Sequence, residues 1–300
     1  MVVVREQVLE LECRDGVRLR GHVWQGDAEA GLGTVIVNPA TGVAARYYHR
    51  YARFLAEAGF RVLTYDYRGI GASRPRSLRG LSYRWRDWGE QDFDAALRVV
   101  LSREGEGPVQ VVGHSIGGFL PGFSPSAHRI DRMLTIGAQY AYWRDYAEPH
   151  RARLFWKWHV AMPALTAICG YFPGRRLGWL EDLPAGVANE WSFRGRRMER
   201  SYPTQERAEI LSRFASFSGA ILAVGVSDDE IASPRAIDRA LGYYRSAGTT
   251  HVLVTPPDFG MEAIGHFGLF HDRHRDGFWT QSLRWLREGR NPWSFATLPS

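Results

Sequence analysis

Short apolar runs bounded by turn residues alternate along this chain with stretches of helical spacing. Thr34, Val35, Ile36 and Val37 form the first run, and residues 61–65, 109–112, 133–136, 220–226 and 252–255 form the later ones. Between them, apolar residues of 47–58 (Tyr48, Tyr51, Phe54, Leu55) and of 92–102 (Phe93, Ala96, Leu97, Val100) recur at helical intervals. Residues 117–123, 234–245 and 278–287 read the same way. A strand apolar at successive positions has both faces buried, as when helices cover both sides of a sheet. Repetition of strand and helix therefore predicts an α/β fold around a parallel sheet. Ahead of it, Val8, Leu9 and Leu11, then Val17, Leu19 and Val23, flank the turn Asp15-Gly16 and predict a hairpin.

The rhythm stops after Gln139. Residues 140–210 are aromatic, punctuated by proline and free of strand patterns, and they hold five of the eleven tryptophans: Trp143, Trp156, Trp158, Trp179 and Trp191. An irregular aromatic block inside a regular α/β chain predicts an inserted, mostly helical cap over 140–210, with residues 1–139 and 211–300 forming the core.

Composition narrows the function classes. With 38 Lys and Arg against 32 Asp and Glu, the formal net charge is +6. The arginines are dispersed, the densest group being Arg194, Arg196, Arg197 and Arg200, and no zinc-finger, basic-helix or RNP pattern accompanies them. No nucleic-acid partner is expected. Cys13 and Cys169 are far apart and make neither a disulfide framework nor a zinc motif, which suits a reducing compartment. Glu6 falls where a signal peptide would keep its apolar run, so a cytoplasmic location is expected. The longest apolar stretch, 154–172, is broken by Lys157, His159 and Pro163, short of the ~20 apolar residues a span requires. No stable membrane insertion is expected; shallow contact with a lipid-like substrate is compatible with it.

Chemistry concentrates at Gly113-His114-Ser115-Ile116-Gly117, the one G-x-S-x-G of the chain, placed between an apolar strand and a helical stretch. A sharp strand-to-helix turn there would lift the Ser115 hydroxyl clear of the backbone and aim the Ile116 N–H at a developing oxyanion. A serine at its ordinary pKa needs a base, and the base needs an orienting acid, in the chain order Ser, acid, His. Asp228, Asp229 and Glu230 close the 220–226 strand, and His251, His266, His271 and His274 follow. A second oxyanion donor is expected after the 34–37 strand. Pro39 has no N–H, which leaves Ala40 or Thr41, with Thr41 the better placed. Asp66 and Arg68 read as an ion pair beside Gly69-Ile70-Gly71, a structural loop: Arg74 occupies the third-glycine position of a dinucleotide fingerprint. No P-loop and no metal-ligand spacing occurs, so neither cofactor nor metal is expected.

The loop 66–73, the elbow 113–118, the turn Asp229-Glu230-Ile231-Ala232 and Gly265-His266-Phe267-Gly268 together resemble the serine-aminopeptidase and monoacylglycerol-lipase-like α/β-hydrolases, in particular their predicted bacterial members. The resemblance covers nearly the whole chain outside 140–210. It implies a mostly parallel eight-stranded sheet with a cap after the sixth strand. It also implies Asp229 as the acid, since Ile231 and Pro234 follow it in the family's spacing, with Asp228 as the rival. His266 is implied as the base by its glycine-flanked setting. His114 is read as packing in the elbow.

The expected activity is therefore that of a serine hydrolase, with a carboxylic ester of a moderately apolar small molecule as substrate. Peptidase, thioesterase, C–C hydrolase or perhydrolase chemistry on the same residues, or a non-catalytic binding protein of this fold, are the alternatives. Trp143, Phe155, Trp156 and Trp158 are the expected cap residues of the substrate pocket.

Overall fold

The structure is a computed structural model and describes residues 2–27, 31–102 and 107–299. Ten strands run in chain order: β1 (Val4–Glu12), β2 (Arg18–Gly26), β3 (Thr34–Asn38), β4 (Arg61–Tyr65), β5 (Val109–His114), β6 (Arg132–Ile136), β7 (Tyr171–Phe172), β8 (Leu183–Pro184), β9 (Ala220–Val226) and β10 (Gly248–Val254). Eight of them form one sheet in the order β1-β2-β4-β3-β5-β6-β9-β10. β1 and β2 are an antiparallel hairpin, β2 lies antiparallel to β4, and every later pairing is parallel. This is the α/β-hydrolase architecture that the alternation and the resemblance implied.

Consecutive side chains explain the unbroken apolar runs. Val35 and Val37 enter the core on one face of the sheet with Val62 and Val112, while Ile36, Leu63 and Val111 enter the core on the other. The helices His49–Glu57 and Thr280–Glu288 cover the first face through Tyr51, Leu55, Trp285 and Leu286. Asp94–Leu101 and Thr204–Ser216 cover the second through Leu97, Val100, Ile210 and Phe214.

Several boundaries differ from the sequence reading, each for a local reason. Helical backbone begins at Trp85 and passes through a wide turn at Trp88–Phe93 before Asp94–Leu101, so the expected start at 92 was late. Between β6 and β9 lie the helices Arg151–Phe155, Met162–Cys169 and Ala185–Ser192, joined by a wide turn at Trp156–Ala161. The two-residue ladder of β7 and β8, unforeseen from sequence, also lies here. The boundary expected at 210 falls inside the continuous helix Thr204–Ser216, whose Phe214 packs against Phe119 at a tilt and against Phe123 edge-on. Asp66 and Arg68 do not pair. Asp66 accepts from the backbone N–H of Ala45 and Ala72, whereas Arg68 binds the fully buried Asp92 at 2.6 Å and Asp15 at 2.6 Å. Among the described residues no helix is long and apolar enough to cross a membrane, and no group of three or more potential metal ligands occurs.

Candidate active site

β5 ends in a forced turn. Ser115 has φ 54° and ψ −128°, a backbone conformation that a residue bearing a Cβ adopts only under constraint, and the helix Ile116–Phe119 starts immediately after it. The constraint is steric and hydrogen-bonded. A Cβ on Gly113 would lie 2.4 Å from Gly118 Cα, and one on Gly117 would lie 2.4 Å from the Asn38 carbonyl oxygen. Only glycine lets the three segments cross. The Ser115 N–H donates to the Ile136 carbonyl at 2.8 Å, and buried Asn38 donates to the Gly117 carbonyl at 3.1 Å while accepting from Tyr65 Oη at 2.9 Å.

After β9, Asp229 is buried and its Oδ1 accepts from the N–H groups of Ile231 (2.8 Å) and Ala232 (2.9 Å). Its Oδ2 meets His266 Nδ1 at 2.6 Å. Burial alone would raise this carboxyl; the His266 imidazole and the two N–H donors outweigh it and hold Asp229 below the usual carboxylate range. Asp228, the rival acid, turns away and accepts from the N–H groups of Ile264 (2.8 Å) and Gly265 (3.0 Å), which shapes the loop carrying His266. Of the other histidines, His251 binds Asp238 and His271 lies exposed at Asp272. His274 is buried.

Ser115, Ile116, Thr41 and His266 line one cavity of about 290 Å³. No hydrogen bond joins Ser115 Oγ to His266 among the described residues; such bonds commonly tighten only once substrate is present. The Ile116 N–H stands at the first position of its helix, where no intrahelical acceptor exists. Ala40 is corrected as an oxyanion donor, because its N–H is committed to Tyr48 Oη at 3.0 Å. Thr41, the next residue, lines the cavity beside Ser115.

The same tyrosine leads to a role for His114 beyond packing. Burial, and after it the nearby His266 imidazole, hold His114 down to about 3, so its ring is neutral. A neutral imidazole has one N–H, and it goes to the His266 carbonyl, a pure acceptor 2.8 Å from Nε2. Nδ1 then accepts from Tyr48 Oη at 2.7 Å, so three hydrogen bonds connect the Ala40 loop to the His266 backbone. Because the folded value lies below the ordinary imidazole value of about 6.5, the unfolded chain binds the extra proton, and stability present above that pH is lost on acidification towards 3. His114→Gln, which can still donate and accept, should flatten the decline by up to about 1.4 kcal/mol per pH unit between pH 6 and 4. Urea midpoints of both proteins across that range check it, and parallel curves would refute it.

Of the expected substrate-facing aromatics, Trp158 lines the cavity and the other three do not. Trp156 is 65% exposed, while Trp143 and Phe155 pack against each other at a tilt with ring centres 4.8 Å apart. Helix geometry is the reason: Arg153, Leu154, Lys157 and Trp158 share the cavity-facing side, and Trp156 projects from the opposite one. The wall is completed by Trp85, Trp179 and Trp191, which sequence reasoning missed. Trp158 stacks on Trp191 at 4.6 Å, and Trp191 lies 5.8 Å from Trp85. The i, i+1, i+4, i+5 spacing of the first four was readable; the approach of Trp85 from a helix seventy residues earlier in the chain was not. A wider groove of about 680 Å³ lies beside the cavity and shares Trp179, Leu180 and Phe267 with it.

The family model described as "Serine aminopeptidase, S33" matches residues 32–207, more than half of the chain. Among solved structures, the α/β hydrolase GrgF from Penicillium sp. sh18 is similar over 94% of this chain and 98% of its own, with 16% identity and a TM-score of 0.58. The esterase domain of a Rhodothermus marinus protein is similar over 93% and 98%, with 16% identity and a TM-score of 0.54. Two curated relatives, the histidinol-phosphate aminotransferases of Aeromonas hydrophila and Aeromonas salmonicida, are 29% identical over 115 residues, 35% of this chain and 30% of theirs. The chain spans less than a third of the length of those relatives. The strand order, the forced turn at Ser115 and the family match agree, and the chain belongs to the serine aminopeptidase (S33) family of α/β-hydrolases.

Proposed function

We propose that this hydrolase acts through Ser115 as nucleophile, His266 as general base and Asp229 as the group that orients the base, on a small carboxylic ester. The observation that carries the reading is the 2.6 Å bond from His266 Nδ1 to buried Asp229, on a histidine that shares one small cavity with Ser115. Asp229 retains the Nδ1 proton, so Nε2 is the lone pair available to Ser115 Oγ. Oγ attacks the acyl carbon, and the Ile116 and Thr41 N–H groups receive the oxyanion. The imidazolium returns its proton to the leaving alcohol, and water, activated the same way, releases the acid from Ser115.

The tryptophan wall favours an apolar body, and about 290 Å³ lies at the small end of ligand cavities. Residues 140–210 serve in this reading as a cap that supplies Trp158, Trp179 and Trp191. The test has two parts. A fluorophosphonate should label the native protein and not Ser115→Ala; absence of labelling would favour a binding protein of this fold. A panel of acyl esters of graded chain length, with aminoacyl amides alongside, should show turnover of short esters above the amides. Faster amide cleavage would move the reading to a peptidase.

A further inference from the structure

Lys157 is the single lysine of the chain, against 37 arginines. Everywhere else that this protein places a permanent cation on a side chain it uses a guanidinium, and its one ammonium stands in the wall of the Ser115 cavity. Nζ sits 4.4 Å from the ring centre of Trp158 and 4.5 Å from that of Trp179, a spacing at which the ring faces attract a cation.

Among the described residues Lys157 has no carboxylate partner, and each acid of the cavity is already engaged. Asp228 accepts two backbone N–H groups, and Glu230 is bound by Arg153 with His150 beside it at 3.5 Å. The tryptophan faces hold the ammonium in place without neutralising it. Burial, with the Arg153 charge next, lowers Lys157 from the ordinary lysine value, and the more distant pull of Glu230, itself bound by Arg153, only partly offsets them. An anionic group on a bound molecule would supply a full counter-charge.

We propose that Lys157 is an anion anchor and that the substrate is a small ester carrying a free carboxylate, such as a hemiester of a short dicarboxylic acid. The proposal rests on the serine-hydrolase reading for the ester, and on the cavity alone for the carboxylate. Native protein should cleave mono-p-nitrophenyl glutarate with a kcat/KM about 10- to 100-fold above that of p-nitrophenyl pentanoate, which matches it in length and lacks the charge. Lys157→Met, which keeps the apolar stem, should bring that ratio to within about threefold of unity.

The single lysine also allows a chemical version. Acetylation of its amine, which removes the charge, should abolish the ratio, and reductive dimethylation, which keeps it, should preserve it, with Lys157→Met treated identically as the control. A ratio near one in the native protein, or a ratio unmoved by Lys157→Met, would overturn the anchor while leaving the hydrolase reading intact. Binding separates the two ideas from the other side. Glutarate added to Ser115→Ala should change tryptophan fluorescence with a Kd at least tenfold tighter than in the Ser115→Ala, Lys157→Met protein. That result would stand even if no ester were turned over, and equal affinities would sink the anchor.

Discussion

Ser115→Ala is expected to lower kcat by about four to six orders of magnitude on any ester the native protein turns over, with the fold unchanged. Alanine carries the same Cβ as serine, so the forced turn at φ 54° holds no new strain. The bond that anchors the position, from the Ser115 N–H to Ile136, belongs to the backbone and survives. What disappears is the attacking oxygen. His266→Ala should do similar damage, because a hydroxyl at its ordinary acidity keeps its proton without an acceptor. The double variant should be little worse than either single one, since two residues serving one proton transfer are lost only once. Steady-state kinetics with circular dichroism as a folding control decide it: full turnover in either single variant removes the assignment.

The fold was largely legible because its strands are buried on both faces, and burial leaves apolar runs such as 35–37 and 220–226 that no surface strand would show. The elbow was legible for a related reason. Gly113 and Gly117 are required by backbone crossings, and such crossings leave a motif in the text. Contacts between distant segments left none. Tyr48 capturing the Ala40 N–H depends on how the loop after β3 folds back on itself, and nothing in Asn38-Pro39-Ala40-Thr41 records it. Arg68 reaching Asp92 in place of Asp66 depends on a helix 24 residues onward.

Residues 140–210 show where periodicity helps and where it stops. Tryptophan was taken as the mark of a pocket, yet large aromatics satisfy packing as readily as binding, and Trp143 and Phe155 are paired with each other. The informative pattern was the mixed face of Arg153, Leu154, Lys157 and Trp158, in which charges recur beside apolar residues on one side of a helix. Charge facing inward has a desolvation cost, so its presence there carries more information about a ligand than another indole does.

Asp229→Asn and Asp228→Asn should differ by about three orders of magnitude in kcat although the residues are neighbours. At Asp229 the asparagine oxygen can replace Oδ1 and still accept from Ile231 and Ala232, so the turn is kept. The amide nitrogen then faces His266 Nδ1 where a carboxylate stood, and it donates. The imidazole must answer with a lone pair, its proton moves to Nε2, and the ring no longer accepts from Ser115. A loss of about 10⁴ in kcat follows, as in proteases whose triad aspartate is changed the same way. Mild acid should not reproduce that loss through Asp229. Its carboxyl is held below the usual range, so the stability it contributes is full above the ordinary carboxylate value and is lost only as pH falls through the still lower folded one. Among the described residues Asp228 bonds only the backbone N–H groups of Ile264 and Gly265. Its replacement should cost about 1–3 kcal/mol of stability and less than tenfold in kcat. Kinetics and urea unfolding of the two variants side by side read both quantities, and a larger kcat loss at Asp228 would transfer the orienting role to it.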